Sequence, residues 1–262
     1  MRKVVVTGIG AVSSLANSFR ESWTSVKKGL SGIAPLTRFD VPLMKWKMSG
    51  ELKCFDAGLY LSQKEITHLD PFVQYAVAAS FMAAEDAGIS QKSEVRSSES
   101  GFKNFKLLTS NSELNHAGVI IGSSRGGITT IERELEKIYA SRITHHASRL
   151  SPYLMPSTSI NMAASYVAQK LGIKGHCLGI SNACSSGANA IGEAYRLIKS
   201  GYADMVFAGG SEAPLCRLCV EGYGVSGALS KINDASASRP FDKTRDGFVL
   251  AEGACVLVLE DY

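Results

Sequence analysis

Five short apolar runs punctuate the chain, at residues 3–8, 117–122, 176–182, 204–209 and 254–260, each bounded by glycine or polar residues. Such runs read as strands buried on both faces. Between them lie segments with helical spacing. Residues 72–87 carry a long Ala-rich apolar face and stop at Gly88, and residues 127–140 alternate charged and apolar positions. Residues 159–170 run into Gly172, and residues 185–199 end before Gly201. Continuous apolar strands separated by helices predict an α/β fold, a mostly parallel five-stranded mixed sheet with helices on both faces. Residues 89–116 break the pattern. They hold Q-K-S-E-V-R-S-S-E-S-G and T-S-N-S-E-L-N without an apolar period, which predicts a mobile polar excursion at the surface.

The segment after Cys184 reads S-S-G-A-N-A-I-G-E-A-Y-R-L-I-K-S-G. Two glycines inside a helix cost about 1 kcal/mol each relative to alanine. That cost is tolerable where other backbone approaches closely on several sides, so this helix is expected in a middle layer, sandwiched by protein. An ordinary glycine-tolerant surface helix is the bland alternative.

Composition narrows the class. Hydrophobic residues make up 45% and charged residues 20%, which excludes a disordered chain. The 262 residues suffice for one large domain or two small ones, and no linker divides them. A net charge of +4 without any Lys/Arg block gives no reason to expect nucleic acid, and suits an acidic partner surface. Gly8 and Gly10 interrupt the first apolar run, which therefore reads as a strand rather than a signal peptide. No stretch reaches the roughly 18 apolar residues of a membrane span. Six scattered cysteines complete the expectation of a reduced, cytoplasmic protein.

Cys184 is the sharpest chemical candidate. It stands between an apolar strand and the small-residue helix, where free backbone N–H groups and the helix dipole stabilise a thiolate. The same amides can hold an oxyanion as a thioester carbonyl becomes tetrahedral. On local pattern alone, a buried inert cysteine is as good a reading.

N-A-C-S-S-G at 182–187 resembles the active-site motif of the β-ketoacyl-acyl carrier protein synthases, the thiolase-like condensing enzymes. V-V-V-T-G-I-G-A-V-S-S at 4–14, N-M-A-A-S at 161–165 and G-I-K-G-H at 172–176 resemble the same family. So do G-Y-A-D-M-V-F-A-G-G-S-E-A at 201–213, A-L-S at 228–230 and R-P-F-D-K-T-R-D-G-F-V-L-A-E-G-A at 239–254. The motifs follow the family's order from first strand to last and leave out only the polar excursion. Ala251 and Cys255 depart from it, standing where the family tends to have glycine.

The resemblance implies a thiolase-like fold, with residues 1–262 as the first of its two repeated halves. It implies that Cys184 takes an acyl group from acyl carrier protein, its own amide giving one oxyanion donor. Glycines at 122–127 would let backbone approach the acyl pocket or a dimer seam. Arg239, Asp242, Arg245, Asp246 and Glu252 would pair charges beneath the site, the alternative being a solvated charged turn. The two catalytic histidines, a lysine and the second oxyanion loop belong to the family's second half. None of His68, His116, His145, His146 and His176 sits in a matching motif. Full condensation would then need a chain carrying the second half, and the partners implied are acyl carrier protein and a homodimer or heteromer. No metal or redox cofactor is implied, since the substrates ride on the carrier's phosphopantetheine. A non-catalytic companion like a chain-length factor, or an inactive truncated synthase, is the alternative.

Weaker signals point elsewhere. G-I-G-A-V-S at 8–13 has Ser13 where a dinucleotide fingerprint needs its third glycine. C-R-L-C at 216–219 supplies two metal ligands and no second pair. A redox role would need it to begin a thioredoxin-like helix, which its context does not support, so packing cysteines are expected. Tyr153, Met155, Met162 and Phe207 are expected in ordinary core, with an acyl channel as the alternative.

Overall fold

A computed structural model describes residues 2–40, 44–96, 103–107, 114–144 and 149–262. Elements run in the order β1 (Val4–Val12), α1 (Phe19–Lys27), β2 (Ala34–Pro35), β3 (Met48–Ser49), α2 (Gln63–His68), α3 (Pro71–Asp86), β4 (Ser90–Arg96), β5 (Lys103–Leu107) and β6 (Gly118–Gly122). Then come α4 (Ile128–Thr144), α5 (Leu154–Thr158), α6 (Met162–Leu171), β7 (Cys177–Ile180), α7 (Ser186–Lys199), β8 (Met205–Glu212), α8 (Arg217–Val225) and β9 (Gly253–Asp261).

The five strands expected from the apolar runs form one sheet in the order β1-β9-β8-β6-β7. β6 pairs in parallel with β7 and β8, whereas β9 is antiparallel to both β8 and β1. Four strands therefore point one way and β9 is threaded between two of them in reverse. The sheet is mixed, as expected, although its antiparallel ladders are the longer ones.

Alternation along the strands splits the core in two. Val119, Ile121, Phe207, Val256 and Val258 face α3 and α6, while Ile120, Val206, Ala208 and Leu259 face α7. Helix α3 starts at Pro71 behind the N-cap Asp70, whose carboxylate accepts from the Phe72 amide at 3.1 Å. Eleven of its 16 residues are buried, so it is apolar nearly all round. Gly8 and Gly10 explain how it sits so close to β1. A Cβ at Gly10 would lie 2.0 Å from the Ala79 carbonyl oxygen, and one at Gly8 2.2 Å from that of Ala83. These glycines sit inside β1 and admit a helix backbone.

The structure adds detail to three expectations. The polar excursion contains two strands, β4 and β5, joined antiparallel with Ser90 opposite Leu107. Residues 97–102 and 108–113, like His145 and His146, lie outside the described residues. Helix α7 is covered by the sheet on one side alone in this chain. Its buried positions are Ser186, Ala190, Ala194 and Ile198, a single stripe at a spacing of four, while Ala188, Asn189, Gly192 and Tyr195 are exposed. The C-R-L-C segment does begin a helix, with Cys216 as the N-cap of α8. A glycine-rich, unperiodic helix had hidden that start.

Candidate active site

Cys184 is exposed and stands in the turn between β7 and α7, at the C-terminal edge of the parallel strands. In open α/β sheets that edge is where ligands bind. The turn is tight. Ala183 has φ +48, in the left-handed region that costs a non-glycine residue roughly 1 kcal/mol or more. Side chains hold it there. Ser185 and Ser186 donate through Oγ to the carbonyls of Asn182 and Ala183, at 2.8 and 2.6 Å. The Asn182 amide donates back to Ser186 Oγ at 2.8 Å, and Asn182 Nδ2 donates to Asn189 Oδ1 at 2.8 Å, one turn into the helix. The Ser185 and Ser186 amides, expected to be free, donate at 3.2 Å to Asn182 and Ala183. The serines around Cys184 are thus scaffold for the turn.

Glycines seat the helix head on the sheet. A Cβ at Gly122 would lie 2.3 Å from the carbonyl carbon of Ser186, and Gly187 rests on Gly210. Gly126 and Gly127 face the backbone at Thr158 instead. The close approaches made by Gly122, Gly126 and Gly127 are therefore to other parts of this chain.

Glu212, at the end of β8, was not singled out by sequence. Its carboxylate accepts from Ser123 Oγ at 2.9 Å, from the Arg125 amide at 3.3 Å and from the Ser124 amide, fixing the loop that follows β6. Burial pushes its pKa up, against those hydrogen bonds. Its place inside G-G-S-E-A, at the end of an apolar strand, is the signal that could have found it.

Glu252 is buried and joins the first 80 residues to the last strand. It accepts from Arg38 Nη2, from Tyr75 Oη at 3.0 Å and from the Leu52 amide at 2.8 Å. Burial, followed by the Glu252 charge, drives the Tyr75 hydroxyl up. The rest of the charged segment behaves differently. Arg239, Asp242 and Arg245 make local turn contacts with Ser236, Thr244 and the Asp242 carbonyl; Asp242 and Arg245 are exposed and Arg239 is half-buried. Asp246 accepts from Ser230 Oγ at 2.5 Å and the Lys231 amide at 2.9 Å. The reading of a solvated charged turn fits residues 239–246, and charge pairing fits Glu252.

No described histidine makes a recorded contact with Cys184. His68 stacks on Tyr153 with ring centroids 3.8 Å apart. His116 and His176 border a cavity of about 290 Å³ at the opposite, N-terminal ends of β6 and β7. His176 precedes β7 and Cys184 follows it, so the four-residue strand, about 3.3 Å per residue, separates them. Phe207 is core and Met162 packs against it, but Tyr153 and Met155 are exposed at 41% and 75%. Of the departures, Ala251 abuts Gly50, and Cys255 lies opposite Gly210 on the α7 side of the sheet, exposed.

Residues 1–262 match the family model described as "Beta-ketoacyl synthase, N-terminal domain". The chain belongs to the β-ketoacyl synthase family. It is 37% identical over 262 residues to the 3-oxoacyl-[acyl-carrier-protein] synthase 2 of Synechocystis sp., a match covering 99% of this chain and 58% of the relative. The enzyme of the same name from Vibrio cholerae is 37% identical over 263 residues, covering 100% and 58%. Among solved structures, "the ishigamide ketosynthase/chain length factor" superposes with a TM-score of 0.81 at 28% identity, covering 99% of this chain and 58% of that one. A type II polyketide acyl-carrier protein in complex with its ketosynthase, AntDE:AntF, gives 0.77 at 29%, covering 100% and 58%. The thiolase-like ketosynthase fold expected from the motifs is thereby shown, and this β-ketoacyl synthase chain spans a little under three-fifths of the length of the relatives it matches. No helix among the described residues is long and apolar enough to cross a membrane.

Proposed function

We propose that this chain carries the acyl-accepting nucleophile of a β-ketoacyl-acyl carrier protein synthase, acting in fatty-acid or polyketide chain elongation in the cytoplasm. The observation that carries this reading is Cys184: an exposed thiol in a strained turn, at the head of a glycine-seated helix. The Cys184 thiolate attacks the carbonyl carbon of an acyl thioester borne on acyl carrier protein. The Cys184 amide donates to the resulting oxyanion. Collapse of the tetrahedral species expels the carrier's phosphopantetheine thiolate and leaves the acyl group on Sγ. Loss of carbon dioxide from a malonyl thioester then supplies the carbanion that attacks this acyl group, releasing Cys184. No metal or redox cofactor takes part.

The second step requires groups that stabilise the enolate, and we place them on a chain or segment carrying the second half of the fold. The open outer face of α7 and the half-exposed Leu178 on edge strand β7 are where such a partner, or a second copy, would rest. The test is direct. Incubation with an acyl-carrier thioester, followed by intact mass measurement, should give an acyl adduct that Cys184→Ala abolishes. If wild-type protein acquires no adduct, even with a chain supplying the second half, the nucleophile reading fails and a non-catalytic companion or an inactive truncated synthase replaces it. The companion reading draws support from the likeness to the ishigamide ketosynthase/chain length factor.

A further inference from the structure

Cys216 and Cys219 sit three residues apart at the head of α8, on one side of the helix and buried in one apolar cluster. Helix positions at this spacing place Cβ atoms about 5–6 Å apart. A disulfide needs roughly 3.5–4.5 Å, so a small turn of the N-cap residue joins them. Cys216 is suited to such a turn, because its backbone is extended (φ −130, ψ 161) and its side chain caps no amide. The capping is done from elsewhere. The Glu132 carboxylate on α4 accepts from the Arg217 amide at 2.8 Å and from the Leu218 amide. The Arg217 and Leu218 amides therefore need neither thiol.

The two sulfurs have different surroundings. Cys216 is 2% exposed and sealed among Leu36, Met44, Leu215, Val220, Leu229 and Leu250. Cys219 borders a cavity of about 360 Å³, together with Arg125, Ile128 and Tyr223. The neighbouring Cys216 thiol, with the Arg125 charge adding to its effect, holds the Cys219 thiol below its ordinary value. The Cys219 thiol, with burial, pushes Cys216 up. Access and acidity agree on which thiol reacts first.

We propose that Cys216 and Cys219 form a thiol–disulfide exchange site, in which Cys219 attacks a small disulfide of the oxidised-glutathione class and Cys216 resolves the product. In the first step, Cys219 Sγ bonds to one sulfur of the small disulfide and the other leaves as a thiolate. Cys216, giving up its proton, then attacks Cys219 Sγ and expels the second small thiol. Two protein thiols are oxidised to one disulfide and one small disulfide is reduced to two thiols.

The test treats the 262-residue protein with oxidised glutathione, caps remaining thiols with iodoacetamide and maps the peptides. The expected result is a Cys216–Cys219 linkage, lighter by two hydrogens and reopened by dithiothreitol. Cys216→Ser should retain glutathione on Cys219, and Cys219→Ser should leave Cys216 unmodified. Cys216→Ala, which keeps the site apolar, gives the same readout if serine unsettles the fold. Two results overturn the proposal: both thiols remaining fully alkylatable while exposed Cys184 acquires glutathione, or equal adducts at Cys216 and Cys219 in the single variants.

Discussion

Helices α3 and α7 lie on opposite faces of one sheet, and they are covered to very different degrees. Around α3, sheet and neighbouring helices bury Phe72, Val73, Tyr75 and Phe81 along with five alanines. On α7, only the stripe Ser186, Ala190, Ala194 and Ile198 is buried, and the small residues on its other side face outward. A helix that is apolar all round belongs in a core, and α3 finds that core within this chain. A helix built of small residues all round suits close approach on two sides, and α7 has found one. Cys184 heads the half-covered helix. Under the proposed function, a second surface closing over Cys184 would hold its thioester away from water, and the uncovered side of α7 is where that surface would rest.

The largest expected effect breaks the comparison at its covered side. Phe72→Ala should cost about 3–5 kcal/mol in urea unfolding, since the ring is fully buried. Tyr195→Ala, on the outer side of α7 at 41% exposure, should change stability by less than about 0.5 kcal/mol. A loss at Tyr195 approaching that at Phe72 would mean that the two helices are equally enclosed.

The next effect falls on the junction of α7 with the sheet. Gly122→Val would drive a side chain into the Ser186 backbone, which a Cβ alone already approaches to 2.3 Å. Overpacking of this kind costs about 1–3 kcal/mol, and here the helix head must move to relieve it. Acylation of Cys184, read by intact mass, should therefore fall much further than stability does. Gly187→Ala is the control, since its nearest neighbour is 3.5 Å away.

What the chain discloses before folding divides along similar lines. Apolar runs located every strand of the main sheet, because strands buried on both faces must be apolar at successive positions. The reversal of β9 stayed hidden, since apolar content carries no direction. β1 runs to Val12 because Gly8 and Gly10, expected to end it, admit α3 instead. The strands β4 and β5 pair through backbone groups that a polar side-chain pattern does not report. In the site, Cys184 was legible from a strand, a small-residue helix and a family motif together. The left-handed Ala183 was not, because alanine carries no preference for that conformation. Nor was the grip of Glu212 on the β6 loop, made across 87 to 89 residues of sequence.

Asp70 gives a smaller effect, with a sign that can be worked out. Burial raises its carboxyl to about 6, although the amides of Phe72 and Thr130 donate to it. The native carboxyl therefore keeps its proton at pH values where the unfolded one has lost it. Its stabilising contribution is complete below about pH 4 and is lost as the pH rises through 6. Asp70→Asn, which preserves the cap, should gain about 2 kcal/mol on wild type between pH 4 and pH 7. Urea titrations across that range read the difference, and groups common to both proteins cancel. A difference that is flat with pH would place the Asp70 carboxyl in a more open setting, and α3 with it.

The smallest effect is the most discriminating for α7. Gly192 lies in the helix interior, exposed, and a Cβ built on it meets nothing within 4 Å. Alanine there should stabilise the chain by up to about 1 kcal/mol, because glycine loses more backbone freedom on folding and nothing obstructs the added methyl group. Under the proposed function, the second half of the fold comes within a methyl group of the helix at this position. Gly192→Ala should therefore raise the urea midpoint of the isolated chain and weaken its association with a chain carrying the second half of the fold. A gain in stability with undiminished association would show that the partner does not rest on this side of α7. Were there no gain at all, the outer side would already be occupied, and the contrast with α3 would disappear.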